Sequence, residues 1–301
     1  MDGVEAATVP EQADPAPTIS ELTPGRAFRG HYACVRKDRM TARNGSPYLS
    51  LELRDATGTI PGRIFRDVDR ISARFERGDA VEASGRAELF RGQLVAELAE
   101  IRKLDQAEAD VETFLPTAYR NRDELEGFLE HLSREIHDPG LAATVQRILF
   151  TEPTASELRR APCTRAGHHA YLGGLLEHTV AVGTLVGELA VLHPRLDSDL
   201  LMAAALVHDI GKTREFTYGA DIGISEEGRL LGHLQIGAEI IGSAATGLPA
   251  PRRASLLSCV LSHHGTDALR MRHFPSPEAI ALYRLNALDA GVKGALEHGV
   301  G

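Results

Sequence analysis

The sequence contains no tryptophan and only three cysteines. Cys34, Cys163 and Cys259 lie far apart and show none of the close pairing that zinc fingers use. This usage argues against a disulfide framework and indicates a reducing compartment. Aromatic residues make up only 5% of the chain, so its capacity to stack on nucleic-acid bases is modest.

Long uncharged runs and a secretory signal are also absent. No uncharged stretch is long enough to span a bilayer, and the N-terminus lacks the charged and then apolar pattern of a signal peptide. Hydrophobic residues nevertheless make up 43% of the 301 residues, which is enough for packed cores in two domains. The sequence therefore predicts a soluble cytoplasmic protein that has no membrane partner.

The net charge of −9 is unevenly distributed along the chain. Residues 26–103 carry 16 Lys or Arg and 11 Asp or Glu, a net charge of +5, so the remaining residues carry −14. A basic segment in an acidic chain indicates a module that binds a polyanion such as nucleic acid. A solvated, arginine-rich surface without a partner is the alternative, and charge alone does not separate the two.

Residues 26–104 are predicted to form a small β-barrel. Alternating runs such as "YLSLELRD" indicate strands, and the dipeptides Asn44-Gly45 and Arg91-Gly92 mark turns between them. About five short strands fit this segment without a long helix, and that pattern is typical of a small barrel.

The regions on either side of the barrel differ from it in composition. Residues 1–25 are rich in proline, alanine and acidic residues and are predicted to be a disordered tail. Residues 105–120 are predicted to be a linker, and residues 121–301 show a helical hydrophobic period that indicates an all-α domain. The main helices are expected over 171–193, 198–210, 230–246, 251–264 and 277–290.

Histidine and aspartate side chains recur on or beside these helices. Five helices each carry an imidazole or a carboxylate in a mainly apolar setting. A single inward histidine is usually a satisfied core residue, but six such groups would need several unrelated buried partners. The residues concerned are His178, His208, Asp209, His233, His263 and Asp289.

Shared divalent cations would satisfy all six groups together, as in other helical bundles with metal sites. Imidazole and carboxylate ligands suit Mn²⁺, Fe²⁺, Co²⁺ or Zn²⁺ better than Ca²⁺. Six ligands exceed what one tetrahedral ion with an open position needs. The set therefore predicts two divalent ions with Asp209 as the bridging ligand, with Mn²⁺ favoured and Mg²⁺ as a further alternative.

The order of these residues resembles the HD superfamily of metal-dependent phosphohydrolases. The segments that carry the resemblance are "LLEHT", "ALVHDIGK", "GH", "SHHG" and "NALDA", within residues 168–291. Gly174, one turn before the first histidine, cannot supply a further carboxylate, which argues against a three-metal site of that superfamily. The ligands that the resemblance implies for the first ion are His178, His208, Asp209 and Asp289, and those for the second include His233 and His263.

A longer resemblance covers nearly the whole chain after residue 25. The segments "TARNGSPYLSLELRDATGTI", "GRAELFRGQLV", "HHAYLGGLLEHTVAV" and "LLGHLQIGAEII" are similar, in this order, to the YhaM-type 3′-5′ exoribonucleases. Members of that family join an N-terminal OB-fold to an HD domain. The resemblance implies an enzyme that degrades single-stranded RNA, with DNA as an alternative substrate, and it allows a homo-oligomer.

Several residues near the expected metal centre are candidates for catalysis. Asp209 would orient a hydroxide that attacks phosphorus. Lys212 follows by one turn, where its ammonium could neutralise the phosphate or simply end a helix. We expect either His168 or His169 to contact the scissile phosphate or the leaving group, with a surface pair as the alternative. His264 is expected to be a metal ligand, an acid or an outer partner.

On the barrel, strand-like runs combine aromatic and basic residues that could bind a single strand by stacking and backbone charge. These candidates are Arg36, Lys37, Arg43, Tyr48, Arg63 and Phe65. Aromatic residues on strands are more often core residues than stacking platforms.

Two other functions remain open from the sequence. One is an HD nucleotidase or triphosphohydrolase that acts on free nucleotides, and the other is a nucleic-acid-binding protein without turnover. The basic barrel argues against the first, because a small substrate needs no separate strand-binding module. The complete ligand set argues against the second.

Overall fold

A computed structural model describes residues 16–105, 108–267 and 272–299 of the chain. The chain divides into two compact units, residues 1–114 and 115–301. The first unit is a closed β-barrel and the second is a helical bundle, which confirms the predicted fold class.

Five strands close the barrel in the order β1-β2-β3-β5-β4. Neighbouring strands pair in antiparallel fashion except β3 and β5, which pair in parallel. A short helix, α1 (Val68–Ser72), lies between β3 and β4. This architecture is that of an OB-fold. The strands are β1 (Ala27–Thr41), β2 (Pro47–Asp55), β3 (Gly58–Ile64), β4 (Ala80–Phe90) and β5 (Gln93–Lys103).

The alternation of β2 shows how the sequence specifies this barrel. Leu49, Leu51 and Leu53 are each 0% exposed, and the residues between them point away from the core. The turns predicted from the glycine dipeptides are confirmed: Gly45 and Gly92 adopt positive φ angles of 83° and 82° at the β1–β2 and β4–β5 connections.

The N-terminal boundary of the barrel differs from the prediction. Residues 1–15 of the predicted tail lie outside the described residues, whereas the segment after them contributes to the barrel core. Ile19 and Leu22 are buried, and the Asp55 carboxylate accepts a hydrogen bond from the Ile19 N–H at 2.6 Å. Two apolar residues in a proline-rich stretch are too few to stand out in composition, although they belong to the barrel core.

The predicted linker over 105–120 also contains structure. A short helix, α2 (Val111–Phe114), lies within it, and the side chains of Phe114 and Leu115 are 0% and 1% exposed. The division between the two compact units falls between these two residues.

The second unit contains nine helices and one small hairpin among its described residues. Asn121 and Asp138 cap α3 and α4 by accepting backbone hydrogen bonds from the first turn. The helices are α3 (Arg122–Arg134), α4 (Pro139–Leu149), α5 (Thr154–Arg160), α6 (Gly174–Leu192), α7 (Ser198–Val207), α8 (Lys212–Glu215), α9 (Glu226–Ala244), α10 (Ala250–Leu261) and α11 (Pro277–His298). The hairpin strands are β6 (Phe216–Tyr218) and β7 (Ile222–Ile224).

Helices α6 and α7 form the centre of the bundle core. Every residue of α7 from Leu200 to Val207 is buried, and α6 packs against α3, α7 and α11. By length and composition alone α6 is apolar enough to cross a membrane, with a mean hydropathy of 1.5. Half of that stretch is buried within the protein, which is the behaviour of a core helix.

Candidate metal centre and barrel surface

The end of α7 explains why an apolar helix leads into a histidine and an aspartate. His208 and Asp209 follow its last turn and are 0% and 2% exposed. His208 Nδ1 lies 2.8 Å from the carbonyl oxygen of Ala205. A carbonyl only accepts hydrogen bonds, so Nδ1 carries the proton and Nε2 is left as a free electron-pair donor. The rigid helix thus presents an imidazole prepared to bind a cation.

Three ligand atoms meet at the first cluster. His178 Nε2 lies 3.2 Å from His208 Nε2, and Asp209 Oδ2 lies 3.6 Å and 3.4 Å from these two nitrogens. Ligands bonded to one tetrahedral ion at about 2.0–2.1 Å are separated by about 3.3 Å. The three atoms therefore have the spacing of a metal site.

The other oxygen of Asp209 belongs to a second cluster. Asp209 Oδ1 lies 3.3 Å from His263 Nε2 and 3.7 Å from His233 Nε2, and the latter lies 2.9 Å from His264 Nε2. Asp209 Oδ1 and His263 Nε2 are both buried and have no hydrogen-bond partner among the described residues. Buried polar atoms of this kind are costly unless a ligand satisfies them. The donor set therefore fits a pair of cations that share Asp209.

Burial and charge set the protonation of these ligands. Burial is the largest influence on His263 and lowers its pKa to about 3, so its ring is neutral at physiological pH. Burial also lowers the pKa of His178, although the Asp289 carboxylate opposes this. The carboxyl of Asp209 is fully buried, but the Lys212 ammonium and the surrounding imidazoles hold its pKa well below its usual value. The centre thus offers neutral imidazoles around a carboxylate, as metal coordination requires.

The Asp289 carboxylate contacts both the His178 ring and the His169 ring. Its Oδ2 lies 2.6 Å from His178 Nδ1 and 3.0 Å from His169 Nε2, on the side of His178 that faces away from His208. In this arrangement the carboxylate orients the His178 ring, as carboxylates commonly do behind metal-binding histidines. Direct ligation by Asp289 stays a prediction.

Lys212 also differs in its surroundings from what its position suggested. Its Nζ donates to Asp209 Oδ2 at 2.6 Å, and the side chain is only 7% exposed. Burial disfavours the ammonium, but the Asp209 carboxylate more than compensates and raises the pKa of Lys212 above its usual value. Lys212 is therefore a buried charge partner of the central aspartate, and its contact with phosphate stays a prediction.

The two adjacent histidines before α6 divide between different roles. His169 is 1% exposed, and its two ring nitrogens lie within 3.0 Å of the Tyr171 hydroxyl and the Asp289 carboxylate. His168 is half-buried, and burial, reinforced by nearby cationic groups, lowers its pKa to about 4. Both ring nitrogens of His169 are therefore engaged by protein groups. Of the two histidines, His168 is the one whose ring can still face a substrate.

Two residues that the sequence analysis did not single out contact predicted ligands. Glu215 lies 3.2 Å from His233 Nδ1 and supports that ring from outside the cluster, whereas Asn286 Oδ1 lies 3.0 Å from His178 Nε2 itself and adds an oxygen donor to the first cluster. Asn286 lies one turn before Asp289 on α11, and Glu215 ends the helix that follows the His-Asp pair. Helical spacing from a proposed ligand was the signal that could have identified Asn286.

Two glycines allow the backbone segments of the centre to approach closely. A Cβ atom at Gly211 would lie 2.0 Å from the His233 carbonyl oxygen, and one at Gly174 would lie 2.2 Å from that of His169. Real side chains do not tolerate such contacts, so glycine is required where the segment after α7 crosses α9 and where α6 begins.

The barrel carries a separate exposed surface. Tyr48 and Phe65 stack with ring centroids 5.4 Å apart and an interplanar angle of 28°, and Phe65 is 49% exposed. The Arg63 guanidinium lies 4.0 Å from the centroid of Phe90, a residue that the sequence analysis missed. Phe90 joins this surface through the β4–β5 hairpin. We call Tyr48, Arg63, Phe65 and Phe90 the aromatic surface.

The remaining basic candidates behave differently from one another. The ammonium of Lys37 donates to the carbonyls of Ser72 and Phe75 at 2.7 Å and 2.6 Å, where it caps α1. The Lys37 ammonium is thus held by contacts within the barrel, and its role as a nucleic-acid contact stays an untested prediction. Arg36 is exposed beside Asp38, and Arg43 is exposed in the β1–β2 connection.

Comparison with known proteins supports both halves of this description. The HD domain model matches residues 175–291, and a model described as an OB-fold nucleic acid binding domain matches residues 34–104. The fold and the site thus define a two-domain HD protein with an N-terminal OB-fold nucleic acid binding domain.

Curated relatives match both domains together. The chain is 30% identical over 275 residues to the 3′-5′ exoribonuclease YhaM of Halalkalibacterium halodurans, covering 88% of this chain and 84% of the relative. It is 31% identical to the protein of the same name from Oceanobacillus iheyensis, covering 90% and 86%. The match to the Bacillus subtilis protein of that name is 29%, covering 83% and 80%. The chain belongs to the YhaM family of 3′-5′ exoribonucleases, which confirms the resemblance drawn from the sequence.

Proposed function

We infer that this chain is a metal-dependent 3′-5′ exoribonuclease that hydrolyses phosphodiester bonds of single-stranded RNA. The observation that carries the inference is the position of Asp209, whose two oxygens face two separate histidine clusters. Its membership of an exoribonuclease family supports the polarity and the substrate. Single-stranded DNA is a second substrate to test.

The proposed cofactor is a pair of divalent ions, with Mn²⁺ as the first choice. His178, His208 and Asp209 would hold one ion, and Asp209, His233, His263 and His264 would hold the other. Mixed nitrogen and oxygen ligands suit Mn²⁺, Fe²⁺, Co²⁺ or Zn²⁺, and Mg²⁺ is a further choice. Bound ions would supply Lewis-acid stabilisation of the phosphate charge and a water of increased acidity.

The side chains around the ions would position the ligands, balance their charge and contact the substrate. Asp209 would fix the position of both ligand clusters relative to the reacting phosphate, and Lys212 would balance the charge of that carboxylate from the buried side. His168 is the candidate for contact with the phosphate or the leaving oxygen, because its ring is half-buried beside the cluster. His169 would hold Asp289 and, through it, the His178 ring.

The barrel would bind the strand upstream of the cleaved end. Stacked and exposed rings beside arginines favour unpaired bases and a phosphate backbone. The contacts we propose are the aromatic surface together with Arg36 and Arg43. Oligomerisation is a further proposal that rests on the family resemblance. The three buried free cysteines favour a reducing compartment, and we propose the cytoplasm.

One assay tests this function against its rivals. Purified protein with Mn²⁺ is incubated with 5′-labelled single-stranded RNA, with single-stranded DNA and with a panel of nucleotides. Progressive shortening from the 3′ end is expected for RNA. Turnover of free nucleotides alone would replace the proposal by a nucleotidase, and tight strand binding without turnover would replace it by a binding protein.

A further inference from the structure

Cys163 places a thiol at the edge of the metal centre that the proposed reaction does not use. The residue is fully buried, and its Sγ lies 3.9 Å from His168 Nε2 and 3.9 Å from Asp209 Oδ2. The other two thiols lie elsewhere, Cys34 in the barrel core and Cys259 in the core face of α10. Cys163 is thus the one thiol of the chain that approaches the ligand clusters.

A closed loop holds this thiol and the His168 ring in place. Thr164 Oγ1 accepts a hydrogen bond from the Gly167 N–H at 2.9 Å and donates to the His168 carbonyl at 2.8 Å. The Cys163 N–H donates to the His169 carbonyl at 3.0 Å, which closes the loop at its base. Cys163 and His168 are therefore positioned by the backbone and need no rearrangement to face a common point.

His178 completes a set of three potential ligands. The ligand atoms of Cys163, His168 and His178 all lie within 4.8 Å of one another. In tetrahedral sites zinc lies about 2.3 Å from sulfur and about 2.0–2.1 Å from nitrogen, which separates such ligands by about 3.5 Å. The observed 3.9 Å between sulfur and nitrogen is close to that separation.

We propose that Cys163, His168 and His178 form a third metal site that takes a soft divalent ion such as Zn²⁺ or Cd²⁺. A sulfur ligand selects soft ions, whereas the two clusters around Asp209 contain only nitrogen and oxygen donors. Binding replaces the thiol proton by a sulfur–metal bond and releases that proton to solvent, so the step needs no oxidant. Burial raises the pKa of the Cys163 thiol to about 12, and the Lys212 ammonium, 3.5 Å from the sulfur, only partly opposes this, so the incoming ion itself must displace the thiol proton.

This site would regulate the proposed reaction, and that consequence rests on the proposed function. His178 belongs both to this set and to the first cluster around Asp209. One imidazole nitrogen cannot serve two ions, so a soft ion beside Cys163 would compete with the catalytic ion for His178. Zn²⁺ would then inhibit the Mn²⁺-loaded enzyme through a thiol-dependent site.

Cadmium absorbance tests the site without any substrate. Metal-free full-length protein is titrated with Cd²⁺, and the ultraviolet charge-transfer band of a thiolate–cadmium bond is recorded. The wild type and the matched variants Cys34→Ala and Cys259→Ala are expected to show the band, and Cys163→Ala to lose it. A band of equal size in Cys163→Ala, or no band in the wild type, would overturn the proposal.

Two additions keep the test decisive. Cys163→Ser preserves the size of the side chain if the alanine variant fails to fold, and ¹¹³Cd NMR of the wild type distinguishes a sulfur-ligated ion from one bound only by nitrogen and oxygen. In the nuclease assay, Zn²⁺ is expected to inhibit the wild type at about tenfold lower concentration than Cys163→Ser, as for loss of a supporting ligand. Equal inhibition would refute the regulatory role, while the absorbance result stands apart from whether the chain is a nuclease.

Discussion

The barrel surface and the metal centre hold their functional side chains in opposite ways. On the barrel, Phe65 is 49% exposed, and its described ring contact is the stack with Tyr48. In the metal centre, His178 and His208 are 0% exposed, and each ring has several polar neighbours. A surface of loosely held rings spreads binding over many small contributions, whereas a buried cluster concentrates function in a few groups that cannot be replaced.

The strongest test of this contrast removes the charge that both clusters share. Asp209→Asn is expected to lower ribonuclease activity by about 10³-fold or more, because both ligand clusters lose their common carboxylate. The Lys212 ammonium would then be buried without its partner, at a cost of about 3–5 kcal/mol in the metal-free protein. Single-turnover rates and denaturant unfolding measure the two effects.

The matched control removes a carboxylate that lies outside the metal centre. Asp69→Asn removes an exposed carboxylate of the barrel that pairs with Arg39, and neither activity nor stability is expected to change measurably. If Asp209→Asn retained wild-type rates with Mn²⁺, the assignment of the central carboxylate would be wrong.

A second test asks whether the orienting residues of the centre are also essential. Glu215→Gln weakens the support of His233, whose Nδ1 lies 3.2 Å from the carboxylate. Loss of such a supporting carboxylate lowers metal affinity by about 10–100-fold. A calorimetric titration with Mn²⁺ is therefore expected to show weaker binding of the second ion. Glu239→Gln, an exposed change on α9, is the control, and equal affinities in the two variants would argue against the positioning role.

A substitution on the aromatic surface of the barrel is expected to have a smaller effect on function than one in the metal centre. Phe65→Ala removes one half of the exposed stack, and such stacking contributes about 1–3 kcal/mol per base. Fluorescence anisotropy is therefore expected to show about tenfold weaker binding of a long single strand. Mn²⁺ affinity should stay constant, and Phe128→Ala, an exposed ring of the helical unit, should change neither quantity. A strand affinity unchanged by Phe65→Ala would remove the aromatic surface from the binding site.

The same contrast explains what the sequence could and could not predict. The candidate metal ligands stood out because a histidine near Leu175 or Leu206 is energetically unusual, and burial leaves that mark in the sequence, while ligation itself stays a prediction. The barrel surface was found less well, because an exposed lysine carries no such mark. Lys37 was chosen for its charge, yet its ammonium caps α1 through contacts between strand and helix that only the folded chain creates.

The connections were the least predictable part of the helical unit. The hairpin of β6 and β7 and the short helix α5 were not predicted, because each is too short to show a period. The kink of α9 at Gly232, with φ 69°, places His233 against Glu215. This kink could not be predicted from the sequence either. The sequence therefore indicated candidate ligands, whereas the contact of Glu215 with His233 depends on a backbone kink that no sequence period marks.

The smallest expected effect is a pH dependence confined to the metal centre. The pKa of His263 is lowered to about 3 and that of His168 to about 4, chiefly by burial, so the unfolded chain binds more protons than the folded chain between pH 4 and the usual histidine value of 6.5. The unfolding free energy therefore falls as pH is lowered through this window, and the melting temperature of the metal-free protein should fall with it. His263→Asn should flatten the profile, whereas the exposed His193→Asn should not.

Saturating Mn²⁺ should raise the melting temperature most at the high-pH end, because ions and protons compete for the same imidazole nitrogens. A profile that is flat from pH 6.5 to 4 in the wild type would show that these rings are not held neutral by the fold.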